Sequence, residues 1–377
     1  MKRRAILRSL PAAVAVPALA SAERAGAAGA PPPPVAARPV RMVVGCQRGP
    51  TDDKMLAFFK RHGVDHISGA PEGGEDAEGP WTPDALPRLK ERCDKAGIAL
   101  DMIQFPFMSS SHVDRAKRRA IMLGQEPDRE RELDEAAAII RQCAAVGIPA
   151  IKYNLSVLGV LRTASGTGRG GTKLSTWHLD EVKDPQAPTR AGTITADAAW
   201  ERITHFLSRI VPIATEQKIR LACHPHDPGV PAAGLHGVVR VLGTVDGLKR
   251  FVDIAPSPYH GLNLCLGTVA EMLPDPRREI HDVIRWFGMR GKIFNIHFRN
   301  IRGHRDRFEE VFPDEGDMDM WDSLKVYAEV GYKYMIMPDH VPHLSGTSDA
   351  QAFAYCFGYI RAMLQVLKPM YPDVVEL

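Results

Sequence analysis

The sequence predicts an α/β protein that folds as a single (β/α)8 TIM barrel. Beyond residue 40 the chain repeats one unit, a short apolar run followed by a polar loop and a segment of helical period. This alternation of strands and helices is typical of parallel strand pairing. The apolar runs number eight, which is the number of strands that closes such a barrel.

The predicted strands are short apolar runs, and polar residues follow each of them. They are 41–46 (RMVVGC), 64–68 (VDHIS), 99–105 (ALDMIQF), 150–155 (AIKYNL), 219–224 (IRLACH), 262–266 (LNLCL), 293–298 (IFNIHF) and 334–339 (YMIMPD).

Amphipathic segments between the strands predict the helices. Three clear cases are 84–97, 130–147 and 198–217, and the first two end in a glycine, as helices commonly do. An open doubly wound sheet is the alternative fold. It usually carries a glycine-rich phosphate loop after its first strand, but GCQRGPTDD at 45–53 does not have the GxGxxG spacing.

The loops after the third and fourth predicted strands are unusually long. They span 106–128 and 156–195, and loops of this length in a compact domain are commonly functional or disordered. Both leave the carboxyl ends of strands, where barrel enzymes build their active sites, so we expect them to wall a pocket. The segment GTGRGGTK at 166–173 fits equally well with a surface excursion.

The amino terminus predicts an export signal. Residues 1–8 are basic, 9–20 are apolar but too short to span a bilayer, and a small-residue cleavage site follows. The Arg3-Arg4 pair favours the twin-arginine route over an ordinary secretory signal or an N-terminal anchor. The predicted organisation is a signal at 1–22, a disordered Ala/Pro linker at 23–40 and the barrel at 41–377. We therefore expect a periplasmic protein without stable membrane insertion after export; a cytoplasmic one is expected if residues 1–22 are not a signal.

Charge and cysteine usage exclude several function classes. The formal net charge of +3 becomes −1 when the four cations of residues 1–22 are set aside, so nothing indicates a nucleic-acid partner. The six cysteines have neither CxxC spacing nor the spacing of a disulfide framework. Neither a zinc ribbon nor a disulfide scaffold is therefore expected.

Four potential metal ligands lie at the carboxyl ends of the last four predicted strands. Side chains alternate between the two faces of a strand, and this period places one ligand from each strand on the inner face. Neighbouring parallel strands lie about 4.8 Å apart, so a single ion could reach several of these side chains. Two imidazoles, a thiolate and a carboxylate suit a divalent transition metal such as Zn²⁺ or Fe²⁺ better than Mg²⁺. The predicted ligands are His224, Cys265, His297 and Asp339.

Arg299 lies two residues after His297 on the same face of its strand. We expect its guanidinium to reach the mouth of the pocket, where it could pair bidentately with a carboxylate or an oxyanion. A cation beside a metal ion predicts an acidic small-molecule substrate.

Several motifs resemble, in order, the landmarks of the mannonate dehydratase family of xylose isomerase-like barrels. They are YNLSVLGVLRT, HPHDP, Gly-Leu at 234–235, SPYHGLNLCLGT, IHFRNI, FEEVFPDEGDMDM and MPDH. The resemblance covers roughly residues 41–365 and implies loss of water from D-mannonate to give 2-keto-3-deoxygluconate. It also implies a manganese ion, Mn²⁺, held by the four residues selected above, and it is compatible with a homo-oligomer.

The resemblance further suggests roles in proton transfer and substrate binding. Removing a proton beside a carboxylate creates an enediolate, which calls for cations, a base and an acid. The predicted catalytic residues are Asp339, Arg299, His226 and His340. The predicted substrate-binding residues are Asn154, Arg162, Asn300 and His343, the last also a candidate proton donor.

The chain departs from the family pattern at positions that would face substrate. His226 replaces an aspartate, Met337 an arginine and Val341 a glycine, and Gly159–Leu161 replaces an Asp-Trp segment. A sugar isomerase or epimerase, or a lyase for oxidised glycosides, on the same barrel is therefore the alternative function. A sugar-binding barrel without catalysis is a third hypothesis, which the predicted thiolate-containing metal site disfavours.

Overall fold

The computed structural model describes residues 41–72, 81–344 and 348–376, so the predicted signal and linker lie outside the described residues. The strands in these ranges are β1 (Val43–Cys46), β2 (His66–Gly69), β3 (Ala99–Gln104), β4 (Ala150–Asn154), β5 (Ser165–Thr167), β6 (Lys173–His178), β7 (Arg220–His224), β8 (His260–Cys265), β9 (Ile293–His297), β10 (Asn300–His304), β11 (Arg307–Val311) and β12 (Met335–Met337).

The helices of the same ranges alternate with the strands. They are α1 (Asp53–Arg61), α2 (Ala85–Lys95), α3 (Ala120–Leu123), α4 (Asp128–Val146), α5 (Ala196–Gln217), α6 (Val245–Ile254), α7 (Leu266–Ala270), α8 (Pro276–Gly288), α9 (Met320–Glu329) and α10 (Ala350–Leu367).

Eight parallel strands close a barrel in the order β1-β12-β9-β8-β7-β4-β3-β2. These are the eight strands that the sequence predicts, with ends that differ by no more than two residues. The (β/α)8 fold class is therefore confirmed. The barrel belongs to one compact unit, Val40–Leu377.

Local signals fix where the helices begin and end. The side chain of Asp52 accepts a hydrogen bond of 2.8 Å from the backbone N–H of Met55 and so caps α1. Gly147 ends α4 with a φ of 79°, a left-handed conformation that glycine adopts without steric cost.

The interior of the barrel is apolar below the carboxyl ends of its strands. A small buried cluster there includes Ala150, Ala222, Met335 and Met337, and it is separate from the larger core between strands and helices. Met337 is fully buried in this layer. Inward-facing polar residues, among them Lys152, Asn263 and Asn295, follow towards the carboxyl ends of their strands.

A second, antiparallel sheet lies at the carboxyl end of the barrel. Its strand order is β10-β11-β6-β5, with β5 and β6 in the predicted long loop after β4 and β10 following directly on β9. The segment 166–173 therefore contributes to a hairpin of this sheet. The sequence did not predict the β10–β11 hairpin, because its residues alternate too weakly to stand out from a loop.

No helix in the described ranges is both long enough and apolar enough to cross a bilayer.

One ion pair at the amino end of the barrel predicts a pH-dependent stability. His66 Nδ1 on β2 lies 2.7 Å from Asp101 Oδ2 on β3. Burial alone would lower the pKa of His66, but the Asp101 carboxylate, with help from Glu376 and Asp65, raises it above its ordinary value. The stabilisation is therefore complete below the unfolded pKa and is lost as pH rises through the folded one.

We predict that Asp101→Asn destabilises the fold by roughly 1 kcal/mol at acidic pH and by clearly less at alkaline pH. Unfolding curves in urea at pH 5.5 and pH 9 measure the difference. A loss of stability that is equal at both pH values would contradict this account of His66.

Candidate active site

The four predicted ligands meet at the carboxyl end of the barrel. His224, Cys265 and His297 are the last residues of β7, β8 and β9, and Asp339 lies two residues after the end of β12. These four strands are neighbours in the barrel. Their ligand atoms all lie within 4.8 Å of one another. His224, Cys265 and His297 are buried, and Asp339 is nearly so. The structure thus brings together His224, Cys265, His297 and Asp339 as the strand register predicts.

Hydrogen bonds leave each imidazole one nitrogen for a ligand. His224 Nδ1 donates to the carbonyl oxygen of Pro225 at 2.7 Å, which leaves Nε2 available. Burial, and then the charge of Lys152, lowers the pKa of His224 to about 4, so this ring is neutral. His297 Nδ1 is buried, has no hydrogen-bond partner among the described residues and lies 3.3 Å from Asp339 Oδ2.

The thiol of Cys265 lies in a cationic environment. Burial alone would raise its pKa, but the guanidinium of Arg299 and the ring of His297 reverse the effect and hold the pKa below its ordinary value. Arg299 Nη2 lies 3.4 Å from Sγ, as does the backbone nitrogen of Thr268. A thiolate in this position is the form that binds a metal ion.

The donor set fits a divalent transition ion. It offers a thiolate, a carboxylate and two imidazoles, and one of the imidazole nitrogens has no hydrogen-bond partner among the described residues. A second cluster, Asp227, Glu310 and His340, is equally close-set. Its carboxylates already face arginines, so it offers no comparable place for an ion.

The arginines belong to a buried network of opposite charges, the arginine–carboxylate network. Its members are Arg162, Arg299, Asp227, Glu271 and Glu310. Arg299 pairs with Asp227 at 2.9 Å, with Glu271 at 3.0 Å and with Glu310 at a shorter distance. Burial and the charge of Asp227 raise the pKa of Glu271 well above its ordinary value.

Arg299 does not reach the mouth of the pocket as the sequence predicted. It is 2% exposed, and four carboxylates, those of Asp227, Glu271, Glu310 and Asp339, surround its guanidinium. The strand period gave the correct face, but it could not show that Glu310 of the second sheet folds over this side chain. Arg299 therefore has no free donor pair to hold a substrate carboxylate.

Two further predictions fail for a similar reason. His226 Nε2 contacts the carbonyl oxygen of Leu155 at 3.0 Å, and its Nδ1 accepts from the backbone N–H of Leu242. Burial also lowers the pKa of His226 to about 3, so this ring is a structural element and not a proton donor. The amide of Asn300 is buried and bonds to the backbone of Pro313 and Met318, which leaves nothing for a substrate.

The other predicted residues lie at or near the cavity. Arg162 and His340 both line it, and His340 Nδ1 lies 2.7 Å from Glu310. Burial would lower the pKa of His340, but Asp339 and Glu310 raise it to about 9, so the ring is protonated at neutral pH. His343 lies on the exposed rim, and Asn154 ties the end of β4 to the carbonyl of Met108.

The cavity has a volume of about 410 Å³, in the range of roughly 300–1,000 Å³ that is typical of small-ligand sites. Asp339 lies in its wall together with Gln47 and Arg48. A larger depression of about 530 Å³ beside α5 shares no residue with it and contains none of the four ligands.

Three polar residues of the site escaped the sequence analysis. Gln47 donates to Asp339 Oδ1 at 3.0 Å and contacts His297 Nε2 at 3.1 Å. Arg48 stacks on the ring of Phe353, and its buried Nε has no partner among the described residues. Lys152 lies within β4. A polar residue at the inner face of a buried strand was the available signal for Lys152, and the end of the first strand was the signal for Gln47.

The comparisons with known proteins assign the family. The sequence model of the D-mannonate dehydratase (UxuA) family matches residues 172–368, more than half of the chain. The chain belongs to the D-mannonate dehydratase family. The mannonate dehydratase of Thermotoga neapolitana is 26% identical over 295 residues, covering 69% of this chain and 78% of that protein. The Streptococcus agalactiae enzyme is 27% identical over 324 residues, covering 78% and 88%.

Solved structures agree on the fold of this mannonate dehydratase family member. Mannonate dehydratase from Streptococcus suis superposes with a TM-score of 0.73 at 20% identity, over 89% of this chain and 97% of that one. The 3-keto-D-glucoside 4-epimerase of E. coli gives 0.53 at 12% identity, over 86% and 99%. The family is one of hydro-lyases, so the chain is classed as a carbon–oxygen lyase.

The arginine–carboxylate network predicts that Arg299→Ala severely destabilises the protein. Removing one partner of a buried ion pair leaves uncompensated charge and costs about 3–5 kcal/mol. Urea unfolding of the purified variant measures this loss. Arg277→Ala is the control, because Arg277 is largely exposed in its contact with Asp317 and should change stability by less than about 1 kcal/mol. Equal stability of the two variants would contradict the role of Arg299.

Proposed function

We propose that this protein removes water from D-mannonate to give 2-keto-3-deoxygluconate, with a divalent ion, Mn²⁺ in preference to Zn²⁺ or Fe²⁺. The observation that carries the proposal is the convergence of four ligand atoms within 4.8 Å in a chain of the mannonate dehydratase family. His224, Cys265, His297 and Asp339 would hold the ion. When bound, the ion supplies positive charge that stabilises the oxyanion developing on the substrate.

Two side chains of the cavity, His340 and Asp339, are assigned to proton donation and to metal binding. His340 is held protonated by Glu310 and Asp339, and its Nε2 is 3.9 Å from Asp339 Oδ2. We assign it to donate the proton that the departing hydroxyl needs. Asp339 Oδ1 is already bonded to Gln47, and Oδ2 faces His297. Its first role is therefore that of a ligand, and its part in proton transfer stays a prediction.

Arg48 replaces Arg299 as the group that receives the substrate carboxylate. It lines the cavity and makes no ion pair within the described ranges of the chain. Phe353 fixes the plane of its guanidinium at a centroid distance of 4.9 Å. A preoriented guanidinium with free donors suits bidentate carboxylate binding. The substrate is therefore an acidic sugar.

Export through residues 1–22 is part of the proposal and depends on the sequence alone. The Arg3-Arg4 pair, the short apolar segment and the small-residue site support it. Amino-terminal sequencing of periplasmic protein from cells that express the full chain tests the predicted cleavage.

The direct test is incubation of the purified, Mn²⁺-supplemented protein with D-mannonate. Mass spectrometry should show loss of one water, and the product should react with thiobarbiturate as a 2-keto-3-deoxy acid. An isomerase or epimerase would give a product of unchanged mass. If the protein neither removes water from an aldonic acid nor isomerises one, the assignment is overturned. Catalysis restricted to oxidised glycosides would favour the lyase alternative.

We predict that Cys265→Ser lowers metal content and turnover together while the fold persists. One soft ligand of four is lost, so Mn²⁺ affinity should fall by about 100-fold or more. Elemental analysis and calorimetric titration of the metal-free protein measure this. Cys356→Ser is the matched control, because this buried cysteine of α10 lies outside the ligand cluster. Full metal content in Cys265→Ser would exclude the proposed ligand set.

We predict that Arg48→Met raises KM for the aldonic acid by about 10–100-fold with a smaller effect on kcat, because a charge-assisted pair contributes about 1.5–3 kcal/mol. Methionine keeps the packing against Phe353, and Arg48→Lys, which keeps the charge, should retain part of the affinity. Inhibition by the uncharged polyol D-mannitol should be unaffected. An unchanged KM in Arg48→Met would show that the carboxylate binds elsewhere.

A further inference from the structure

Lys152 is a buried lysine in the middle of a barrel strand. It is 7% exposed, and its neighbours Ile151 and Tyr153 pack in the outer core. Because side chains alternate along a strand, Lys152 points into the barrel, directly above the apolar residue Ala150. Lysine is rarely buried to this degree without a partner, so its presence here calls for a reason.

The ammonium group of Lys152 has one neutral partner and no counterion. Its Nζ donates to Gln47 Oε1 at 2.7 Å, across the barrel from β4 to the end of β1. Within the part of the chain that the structure describes, no carboxylate pairs with it. Burying a cation without a carboxylate costs free energy. The position of this buried cation allows it to control the orientation of the Gln47 amide.

The contact with Lys152 determines which way the Gln47 amide points. An ammonium group can only donate, so the amide atom that faces it must be the oxygen. The amide nitrogen then faces Asp339 Oδ1, to which it donates at 3.0 Å. The same oxygen lies 3.1 Å from His297 Nε2, and since an amide oxygen only accepts, this ring nitrogen must carry the proton.

The neighbours of His297 favour opposite tautomers. Asp339 Oδ2, 3.3 Å from Nδ1, only accepts and so favours a proton on Nδ1 in the metal-free protein. Asn263 Nδ2 lies 3.3 Å from the same Nε2 and, as a donor, would favour a lone pair there and a proton on Nδ1. The Asn263 oxygen is bonded to Asn295 Nδ2, so its amide is fixed with the nitrogen toward His297. Only Gln47 draws the proton to Nε2. With the proton on Nε2, Nδ1 offers a lone pair, and an ion between Nδ1 and Asp339 Oδ2 could then bind to both atoms.

We propose that Lys152 and Gln47 act together as positioning residues for the metal centre. Lys152 fixes the orientation of the Gln47 amide, whose oxygen holds His297 in the tautomer with a free Nδ1 and whose nitrogen orients Asp339. The inference rests on the ligand set of the proposed function, but it concerns metal binding and is independent of which substrate is dehydrated. Outer partners of this kind commonly change metal affinity by about 10–100-fold.

The first test measures Mn²⁺ affinity of the metal-free protein by calorimetric titration. Gln47→Leu should weaken binding by about 10–100-fold, since Asn263 then decides the tautomer of His297. Gln104→Leu is the matched control. Gln104 is a buried glutamine at the carboxyl end of β3, in register with Lys152, and no hydrogen bond of the described residues joins it to His297 or Asp339. It should bind Mn²⁺ like the unmodified protein.

A double-mutant cycle tests whether Lys152 acts through Gln47. Lys152→Met removes the charge at similar length and should weaken Mn²⁺ binding several-fold. In the Gln47→Leu background the same substitution should not weaken binding further, and removal of a nearby cation should leave the affinity equal or higher. An equal loss in both backgrounds would show that Lys152 acts independently of Gln47 and would overturn the pairing.

A spectroscopic measurement separates positioning from a merely structural role. Nitrogen chemical shifts of ¹⁵N-histidine-labelled, metal-free protein report the tautomer, and the His297 signals are those lost in His297→Asn. The expected result is a larger fraction of ring protonated at Nε2 in the unmodified protein than in Gln47→Leu, where the proton shifts to Nδ1. Unchanged shifts, or unchanged Mn²⁺ affinity of Gln47→Leu, would refute the inference. If Cys265→Ser also retains full affinity, it is the ligand set of the proposed function that fails.

Discussion

The burial of the Arg299 guanidinium is the interaction on which the rest of the site depends. It joins Asp227 after β7, Glu271 after α7 and Glu310 of the second sheet, and it lies beside the Cys265 thiol. Together with Arg162, this cation therefore attaches the second sheet to the barrel, and it favours a thiolate at Cys265 at the same time. Gly267 makes room for it, since a Cβ built at that position would lie 2.6 Å from Arg299 Nε.

The convergence of His224, Cys265, His297 and Asp339 could be predicted from the sequence because it depends on two periodic rules only. Inner-face residues recur every second position of a strand, and parallel strands end at one rim, so His224 and Cys265 must meet if both strands belong to the barrel. The roles of Arg299 and His226 could not be predicted in this way. Their partners Glu310 and Leu155 come from distant segments of the chain, and only the three-dimensional fold shows these contacts.

The departures from the family pattern find different explanations in the structure. His226 replaces an aspartate, and its ring joins the backbone of Leu155 to that of Leu242 by hydrogen bonds. Met337 replaces an arginine and completes the apolar floor of the barrel, so the charge that the family places there is absent from this site. Among the described residues of the site, Lys152 and Arg48 are cations that pair with no carboxylate. Positive charge at the site thus comes from β4 and from the loop after β1.

This separation of charges has a consequence for catalysis. Within the arginine–carboxylate network the cations Arg162 and Arg299 face three carboxylates, so the network offers no net attraction to an incoming anion. Its contribution is to fix groups, among them the protonated His340. In the proposed function, attraction of an acidic substrate falls instead to Arg48 at the cavity wall, while Lys152 and Gln47 act on the proposed ligands. The proposal therefore assigns binding, proton transfer and metal positioning to different side chains, with Asp339 as the link between the last two, because it contacts both Gln47 and His340.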